Sequence, residues 1–382
     1  MKESRIHLVL TDDWELRGDG SGNMRHMQFA TIRKLVSIYN EFGLKGTFMA
    51  EVMQQVHHRR VEKLHPELAG LADEWDDILR GVYSQGHDVQ MHLHPQWHGA
   101  VYQNARWILD SPWALRDYSA ADMRAMLAGA KNYLEDLLRP IDSSYRCCVF
   151  RAGSWLAFPC EHLLPALADL GIVADLSVVP GWNIDSVFRG QRLFADYRHV
   201  EEKFLPYYPA ADAPLRAGAR GPVHCVPTHT FLFSPVRKFQ RRAMKALGIA
   251  RHDLKAPNAV PPPGAGGNTY DRKAGTIKPA RSRWRTKVEN LVVPSLRVSD
   301  LCALSFWEAK EMLRHIRSEA RKTTSGEVPV VITNHTKDIG DFDPIRRFAE
   351  KLASATDIQV ITARALCDNL LAGRYPVREG KL

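Results

Sequence analysis

Short apolar runs alternate along the chain with longer stretches in which apolar residues recur at helical spacing. The runs predict strands at 6–10, 46–50, 88–91, 148–150, 172–176, 223–227, 328–333 and 358–361. The longer stretches predict helices at 28–42, 66–79, 119–138, 162–170, 305–321 and 344–354, and a last helix from Ala363. Strands that alternate with helices are typical of an α/β fold.

The alternation is lost in the second half of the chain. Residues 181–220 are rich in aromatic residues and proline and show no clear period. Residues 237–287 form a basic insertion whose centre, 257–268, is dense in proline and glycine and is predicted to be irregular. We therefore expect one domain, 1–382, that carries an insertion at about 237–287.

Composition and charge narrow the class of protein. A chain of 382 residues with 45% hydrophobic and 25% charged residues is typical of a globular protein with a large core. The net charge is +9, yet the insertion alone carries fourteen Lys/Arg against two acids, so the remainder is slightly acidic. The insertion could therefore contact an anionic precursor or a membrane surface. No nucleic-acid motif is present.

The cysteines and the first apolar run bear on location. The six cysteines form no C-x-x-C pair, which excludes a zinc ribbon and argues against a disulfide framework. The run at 6–10 is too short for a signal-peptide core, and Asp12 and Asp13 follow it directly. We predict a cytoplasmic protein with reduced thiols. The chain also lacks a phosphate-binding P-loop and a G-x-S-x-G nucleophile motif.

Four clusters of polar residues follow predicted strands, at the end where (β/α) barrels place their active sites. They span 11–15, 86–98, 150–155 and 333–338. In the second cluster, His92 and His94 share one face of a strand and could bind a metal together with an acid from a neighbouring strand. His94 and His98 would converge instead if this stretch were helical, although Pro95 opposes a regular helix.

The first cluster supplies the acids. Three carboxylates directly after a buried strand are costly to desolvate unless they are paired or bind a cation. Asp13 and Glu15 share a face of the strand, whereas Asp12 points to the opposite face. One carboxylate as a metal ligand and another as a general base would suit metal-assisted hydrolysis.

In this order the four clusters resemble the polysaccharide deacetylase superfamily, which has a NodB-homology domain and includes carbohydrate esterase family 4. Its first motif, T-F-D-D or D-x-D/E, resembles the segment at 11–15, and its Gly-His-Glu-like lead-in resembles the segment at 86–88. Arg151, Trp155 and His335 match its later motifs. The resemblance implies an irregular (β/α)7-type barrel and a zinc-dependent N-deacetylase acting on an amino sugar in a polysaccharide, glycolipid or nucleotide-linked precursor.

The resemblance also implies roles for single residues. Asp13 would be the general base and Glu15 a metal ligand, and in the competing register Asp12 is the base and Asp13 the ligand. His92 would be the first metal histidine. The family's second lies four residues later, where this chain has Gln96, so we expect His94 to take its place, with His98 as the alternative.

Four further roles follow from the same resemblance. Arg151 would orient the base, and Trp155 would form the wall of the acetyl pocket. His335 would be the general acid, and Asp175 would tune it. Two other functions stay open: a metal-independent amidohydrolase on a non-sugar substrate, and a glycan-binding protein without catalysis, which the substitution at Gln96 favours.

Overall fold

The computed structural model describes residues 5–188, 190–235, 294–323 and 326–380, so the predicted insertion at 237–287 lies outside the described residues. The strands are β1 (Arg5–Trp14), β2 (Thr47–Glu51), β3 (Asp88–Leu93), β4 (Val101–Gln103), β5 (Arg106–Ile108), β6 (Val149–Ala152), β7 (Ala174–Asp175), β8 (Asn183–Phe188), β9 (Gln191–Asp196), β10 (His224–Cys225), β11 (Thr230–Phe233), β12 (Ser295–Val298), β13 (Glu327–His335) and β14 (Ile358–Ile361).

Helices follow most of the long strands. They are α1 (Thr31–Glu41), α2 (Val52–Val61), α3 (Pro66–Ser84), α4 (Ala120–Leu138), α5 (Leu163–Asp169), α6 (Phe306–Thr323), α7 (Asp343–Ala353) and α8 (Ala363–Leu371). Local sequence sets several of their ends. Ser119 caps α4 by accepting a hydrogen bond from the backbone N–H of Asp122, as its position predicts. Pro66 opens α3, where a missing N–H costs nothing.

The long strands form one parallel sheet that curls into a barrel. Its order is β10-β7-β6-β3-β2-β1-β13, and β14 pairs with the first half of β1. A parallel bridge between Thr228 and Val331 joins the chain just after β10 back to β13. This order confirms the predicted α/β class and the irregular seven-stranded barrel. Parallel strands bring their C-terminal ends to the same rim, which places the four polar clusters close together.

The structure also contains elements that the pattern of hydrophobic residues does not predict. The segment without periodicity contains the antiparallel hairpin β8–β9. Helix α2 escapes prediction because its buried residues include Gln54, Gln55, His57 and His58, so its apolar period is weak. None of the helices in the described ranges is both long and apolar enough to cross a membrane. The cytoplasmic location stays a prediction.

Candidate active site

Two groups of side chains meet at the C-terminal rim of the barrel. We call Asp13, Arg151, His335 and Asp300 the acid–base cluster, and Glu15, His92 and His94 the histidine cluster. Strand β1 supplies Asp13, and Glu15 directly follows its last residue. Residues two apart on an extended chain face the same way, so both side chains point to the rim. Strands β3, β6 and β13 of the same sheet supply His92, Arg151 and His335.

Arg151 holds Asp13 in the barrel. Its guanidinium is 0% exposed, and Nη1 donates to Oδ1 of Asp13 at 2.5 Å. Nη2 donates to Oγ1 of Thr11 at 2.8 Å, so the planar guanidinium is fixed at two points. Thr11 in turn donates to the carbonyl of Ile332 at 2.7 Å. Asp13 is therefore a buried, oriented carboxylate whose second oxygen, Oδ2, remains for chemistry.

That second oxygen faces His335. Nε2 of His335 lies 3.6 Å from Oδ2 of Asp13, and Nδ1 lies 2.8 Å from Oδ2 of Asp300. Burial lowers the pKa of His335, but the carboxylates of Asp300 and Asp13 outweigh burial and raise this pKa to about 9. The imidazole therefore carries a proton at neutral pH, as a general acid must.

The histidine cluster brings three ligand-type atoms to one point. Oε2 of Glu15 lies 2.5 Å from Nε2 of His94 and 3.5 Å from Nε2 of His92. All three atoms are buried, and among the described residues none has a partner that meets hydrogen-bond geometry. A buried polar atom without a partner costs about 1–3 kcal/mol, so a cation that contacted all three atoms would stabilise this cluster. The donor set therefore fits a divalent metal of the zinc type.

The charges of His94 and Glu15 suit a metal site. His92 contacts the carbonyl of Arg151 through Nδ1 at 3.1 Å, which leaves a lone pair on Nε2. Burial lowers the pKa of His94, so this ring is neutral. Burial raises the pKa of Glu15, but Lys337 and the two histidines outweigh it and hold that pKa well below its usual range. Metal ligands need these same states, with neutral imidazoles and an ionised carboxylate.

Gln96, at the position of the family's second histidine, does not reach Glu15 in the structure. Its amide Nε2 lies 2.9 Å from Nδ1 of His94 and donates to the carbonyl of Gly18 at 2.9 Å. Gln96 therefore contacts Nδ1 of His94, whereas Nε2 of the same ring faces Glu15. A carbonyl oxygen can only accept, so the end of the Gln96 side chain that lies against Gly18 is the NH2 group. The same NH2 group then donates to Nδ1 of His94, which must be the acceptor. A metal on Nε2 would require the opposite tautomer of this ring.

Gly153 leaves room for the ring of His94. A Cβ atom at Gly153 would lie 2.5 Å from Cγ and Nδ1 of that ring, closer than real Cβ contacts. The side chain of Glu51 gives further support, because its Oε2 accepts a hydrogen bond from the backbone N–H of His94 at 2.7 Å. His94 is therefore held on three sides, by Gly153, Gln96 and Glu51.

Trp155 and Lys337 complete the rim. The ring of Trp155 meets the ring of His335 edge to face, with centroids 5.3 Å apart. This position is compatible with the aromatic wall that the sequence suggests. Lys337 contacts Oε1 of Glu15 through Nζ at 2.6 Å, although its side chain is only 17% exposed. Lys337 received no role from the sequence.

The structure places the side chains of two sequence-based alternatives outside both clusters. The side chain of Asp12 faces away from the site and accepts hydrogen bonds from Tyr39 and Asn334, and burial raises its pKa to about 7. The alternation of a strand explains this, since Asp12 and Asp13 are adjacent. Asp12 is therefore not the base in this geometry. His98 is exposed and lies against Tyr118, so it is not a ligand in place of His94.

Asp175 does not tune His335. Its carboxylate accepts a hydrogen bond from the backbone N–H of Ser177 at 2.9 Å and contacts Cys225, and burial raises its pKa to about 6. Asp300 contacts His335 instead, because it precedes a short turn that packs beside β13 and pairs with Thr333. The strand pattern gives no sign of this contact, since Asp300 and His335 are far apart in sequence. His229 pairs with Ser299 and His315 outside both clusters.

Comparisons with known proteins give distant similarities only. No family model matches, and no curated protein matches. A candidate polysaccharide deacetylase from Mycobacterium smegmatis is 14% identical, with a TM-score of 0.47 over 99% of this chain and 94% of that one. The Puue allantoinase is 12% identical, with a TM-score of 0.47 over 97% of this chain and 91% of that one. A candidate polysaccharide deacetylase from Pseudomonas aeruginosa PAO1 is 11% identical, with a TM-score of 0.46 over 97% of this chain and 92% of that one.

Two of these structures have the name of the family that the sequence motifs resemble. TM-scores below 0.5 do not establish a shared fold. The fold is therefore assigned from the strand order of this chain, and the chemistry is inferred from the geometry of its two clusters.

Proposed function

We propose that the chain is a metal-dependent N-deacetylase that hydrolyses the N-acetyl amide of an amino sugar in a polysaccharide, glycolipid or nucleotide-linked precursor. One observation carries the proposal. Three buried ligand atoms that have no hydrogen-bond partner in the described part of the chain lie at the same rim as a buried carboxylate and a protonated imidazole. Two histidines and one carboxylate leave a coordination position open for water, which favours zinc as the metal.

Different residues of the chain would carry out the separate steps of the hydrolysis. A cation on Glu15, His92 and His94 would polarise the amide carbonyl and acidify a bound water. Oδ2 of Asp13 would accept the proton of the attacking water. Arg151 keeps that carboxylate fixed through its contact with Oδ1.

Protonation of the leaving nitrogen completes the division of roles. His335 has its proton at neutral pH because Asp300 stabilises the imidazolium, and it lies close to Asp13. Donation of this proton to the departing amine prevents the amine from returning to the carbonyl. Trp155 beside His335 would pack against the acetyl methyl group. The basic insertion, outside the described residues, would contact an anionic carrier of the sugar.

The experiment is an assay for released acetate. The purified full chain would be incubated with N-acetylglucosamine oligomers and with a nucleotide-linked N-acetyl sugar, with zinc and with a chelator. We expect acetate release that stops with the chelator and returns with zinc. Asp13→Asn is the control for contaminating activity. Absence of acetate from every N-acetyl sugar, with zinc bound, would contradict the proposed substrate class.

A second candidate is a metal-independent amidohydrolase on a non-sugar substrate. Two contacts favour it, since Lys337 already neutralises Glu15 and Gln96 holds His94 in the tautomer with its proton on Nε2. Amide hydrolysis that persists in the chelator would select this candidate. A binding protein without catalysis is less compatible with the intact pairing of Asp13, Arg151 and His335.

A further inference from the structure

Lys337 places a positive charge inside the histidine cluster. It lies on the short turn Thr336–Asp338 that follows β13. That turn is fixed because Oγ1 of Thr336 donates to the carbonyl of Asp13 at 2.8 Å. Nζ of Lys337 contacts Oε1 of Glu15 at 2.6 Å, and the side chain of Glu15 is only 3% exposed. The ammonium group of Lys337 is therefore part of the buried site and is not a surface charge.

The contacts divide the two oxygens of Glu15. Oε1 belongs to Lys337, whereas Oε2 faces His94 at 2.5 Å and His92 at 3.5 Å. Because Lys337 holds Oε1, Glu15 can offer a cation only one oxygen while the ion pair lasts. A cation at this point would also lie near an ammonium of the same sign, in a region where buried charges are weakly screened.

We propose that Lys337 competes with the metal for Glu15 and so lowers the affinity of the histidine cluster for divalent cations. This inference rests on the proposed function, because it assumes that the histidine cluster is the metal site. Its consequence is a metal that exchanges more readily than two histidines and a free carboxylate would allow.

An opposing effect has to be weighed. A lysine that orients a ligand could raise the metal affinity, as residues that support ligands commonly do. Here the orientation of Glu15 depends little on Lys337, since the carboxylate is enclosed and its other oxygen already contacts His94. The loss of orientation on removing Lys337 is therefore small, whereas the repulsion and the competition for Oε1 disappear completely.

The chain offers a matched control. Lys131 on α4 is also 17% exposed, and its Nζ lies 2.5 Å from Oε1 of Glu135, which is 4% exposed. Among the described residues, Glu135 belongs to no group that could hold a metal ion, and Arg139 contacts its other oxygen at 2.8 Å. Replacing Lys131 removes a buried Lys–Glu contact from a place where no metal is proposed. The two variants therefore separate a general loss of stability from an effect on the metal.

The experiment measures zinc affinity by calorimetry on the metal-free full chain, for the wild type and for Lys337→Met, Lys337→Arg and Lys131→Met. We expect Lys337→Met to bind zinc roughly tenfold more tightly or more, because the repulsion by the ammonium group is removed. Lys337→Arg keeps the charge, so its affinity should stay near that of the wild type. Lys131→Met should lose thermal stability without a change in zinc affinity.

Thermal unfolding gives a second measurement. Without metal, Lys337→Met should unfold at a lower temperature than the wild type, because Glu15 loses its counter-ion. Zinc should then raise its unfolding temperature by more than it raises that of the wild type, since ligand stabilisation grows with affinity. If Lys337→Met does not fold, Lys337→Gln removes the charge but keeps a hydrogen-bond donor.

Each outcome decides a separate point. Equal or weaker zinc binding by Lys337→Met would overturn this inference and leave the proposed metal-dependent function standing. Zinc binding by Lys337→Met alone would support the inference and overturn metal dependence of the natural chain. Absence of zinc binding in all variants would overturn both proposals.

Discussion

The acid–base cluster and the histidine cluster lie at the same rim of one barrel, yet their polar atoms are satisfied very differently. In the acid–base cluster, Asp13 pairs with Arg151, and His335 pairs with Asp300. In the histidine cluster, one nitrogen each of His92 and His94 and one oxygen of Glu15 meet, and none of them has a hydrogen bond to any residue that the structure describes. The acid–base cluster pairs its own charges, whereas the buried polar atoms of the histidine cluster would gain partners from a bound cation.

The strongest test of this contrast removes the proposed base. Asp13→Asn should lower kcat for acetate release by roughly 10²- to 10⁴-fold, because general acid–base groups contribute on this scale. Zinc content, measured by elemental analysis, should not change, since Asp13 is not one of the three proposed ligands. Loss of zinc from Asp13→Asn would show that the two clusters are not separate and that Asp13 is a ligand.

Removing a proposed metal ligand should weaken zinc binding, whereas removing the proposed base leaves zinc binding unchanged. His92→Ala should weaken zinc binding by more than the roughly 10- to 100-fold that a supporting residue costs. Calorimetry measures it directly. His224→Ala is a matched control, because His224 is also buried, contacts a carbonyl through Nδ1 and has Nε2 without a partner among the described residues, but has no carboxylate beside it. Unchanged zinc affinity in His92→Ala would argue against the histidine cluster as the metal site.

A smaller effect should follow from crowding the cluster. Gly153→Ala places a methyl group 2.5 Å from the ring of His94, so the ring must shift. We expect a zinc affinity about tenfold weaker and a loss of about 1–3 kcal/mol in the free energy of unfolding. Gly81→Ala on α3 is the control, because nothing lies within 4 Å of its added carbon. Equal behaviour of both variants would show that His94 is not confined.

The acid–base cluster can be tested by its pH dependence. Asp300 and Asp13 raise the pKa of His335 to about 9 from its usual 6.5, so the proton is present below that pH and kcat should fall as the pH rises through about 9. The pairing also stabilises the fold fully below about pH 6.5 and is lost as the pH passes 9. Asp300→Asn should move the fall in kcat to lower pH, while zinc affinity stays the same.

An unmoved pH profile in Asp300→Asn would show that Asp300 does not tune His335. In that case Asp175→Asn would be the comparison, because the sequence assigned the role to Asp175.

The smallest expected effect concerns His98. Because His98 is exposed and outside the histidine cluster, His98→Ala should keep zinc affinity and kcat within about twofold and change stability by less than about 0.5 kcal/mol. The same calorimetry and acetate assay measure it. Loss of zinc from this variant would restore His98 as the ligand in place of His94.

Much of the barrel could be predicted from the sequence because its information is local. The apolar run at 6–10 is buried in β1, the pattern at 119–138 becomes α4, and 358–361 is β14 as predicted. Elements without a local signal were missed. The hairpin β8–β9 contains half-buried side chains of mixed polarity, so its period is hidden. Helix α2 buries glutamines and histidines against neighbours that the sequence does not show.

By itself the sequence determined which side of β1 carries the chemistry. A strand alternates its faces, so Asp13 and Glu15 share one face and Asp12 must take the other, and the same rule pairs His92 with His94. These relations involve residues at most two apart, whose geometry depends only on the backbone. They hold whatever the strand packs against.

Only the tertiary structure decided which residues meet across the rim. Asp300, not Asp175, contacts His335, and Lys337 contacts Glu15, although 322 positions separate that last pair. Contacts of this kind depend on how the sheet curls and on the path of the turns, and many residues far apart in sequence determine both. A local pattern shows that an acid lies near a strand end, but the packed barrel selects its partner.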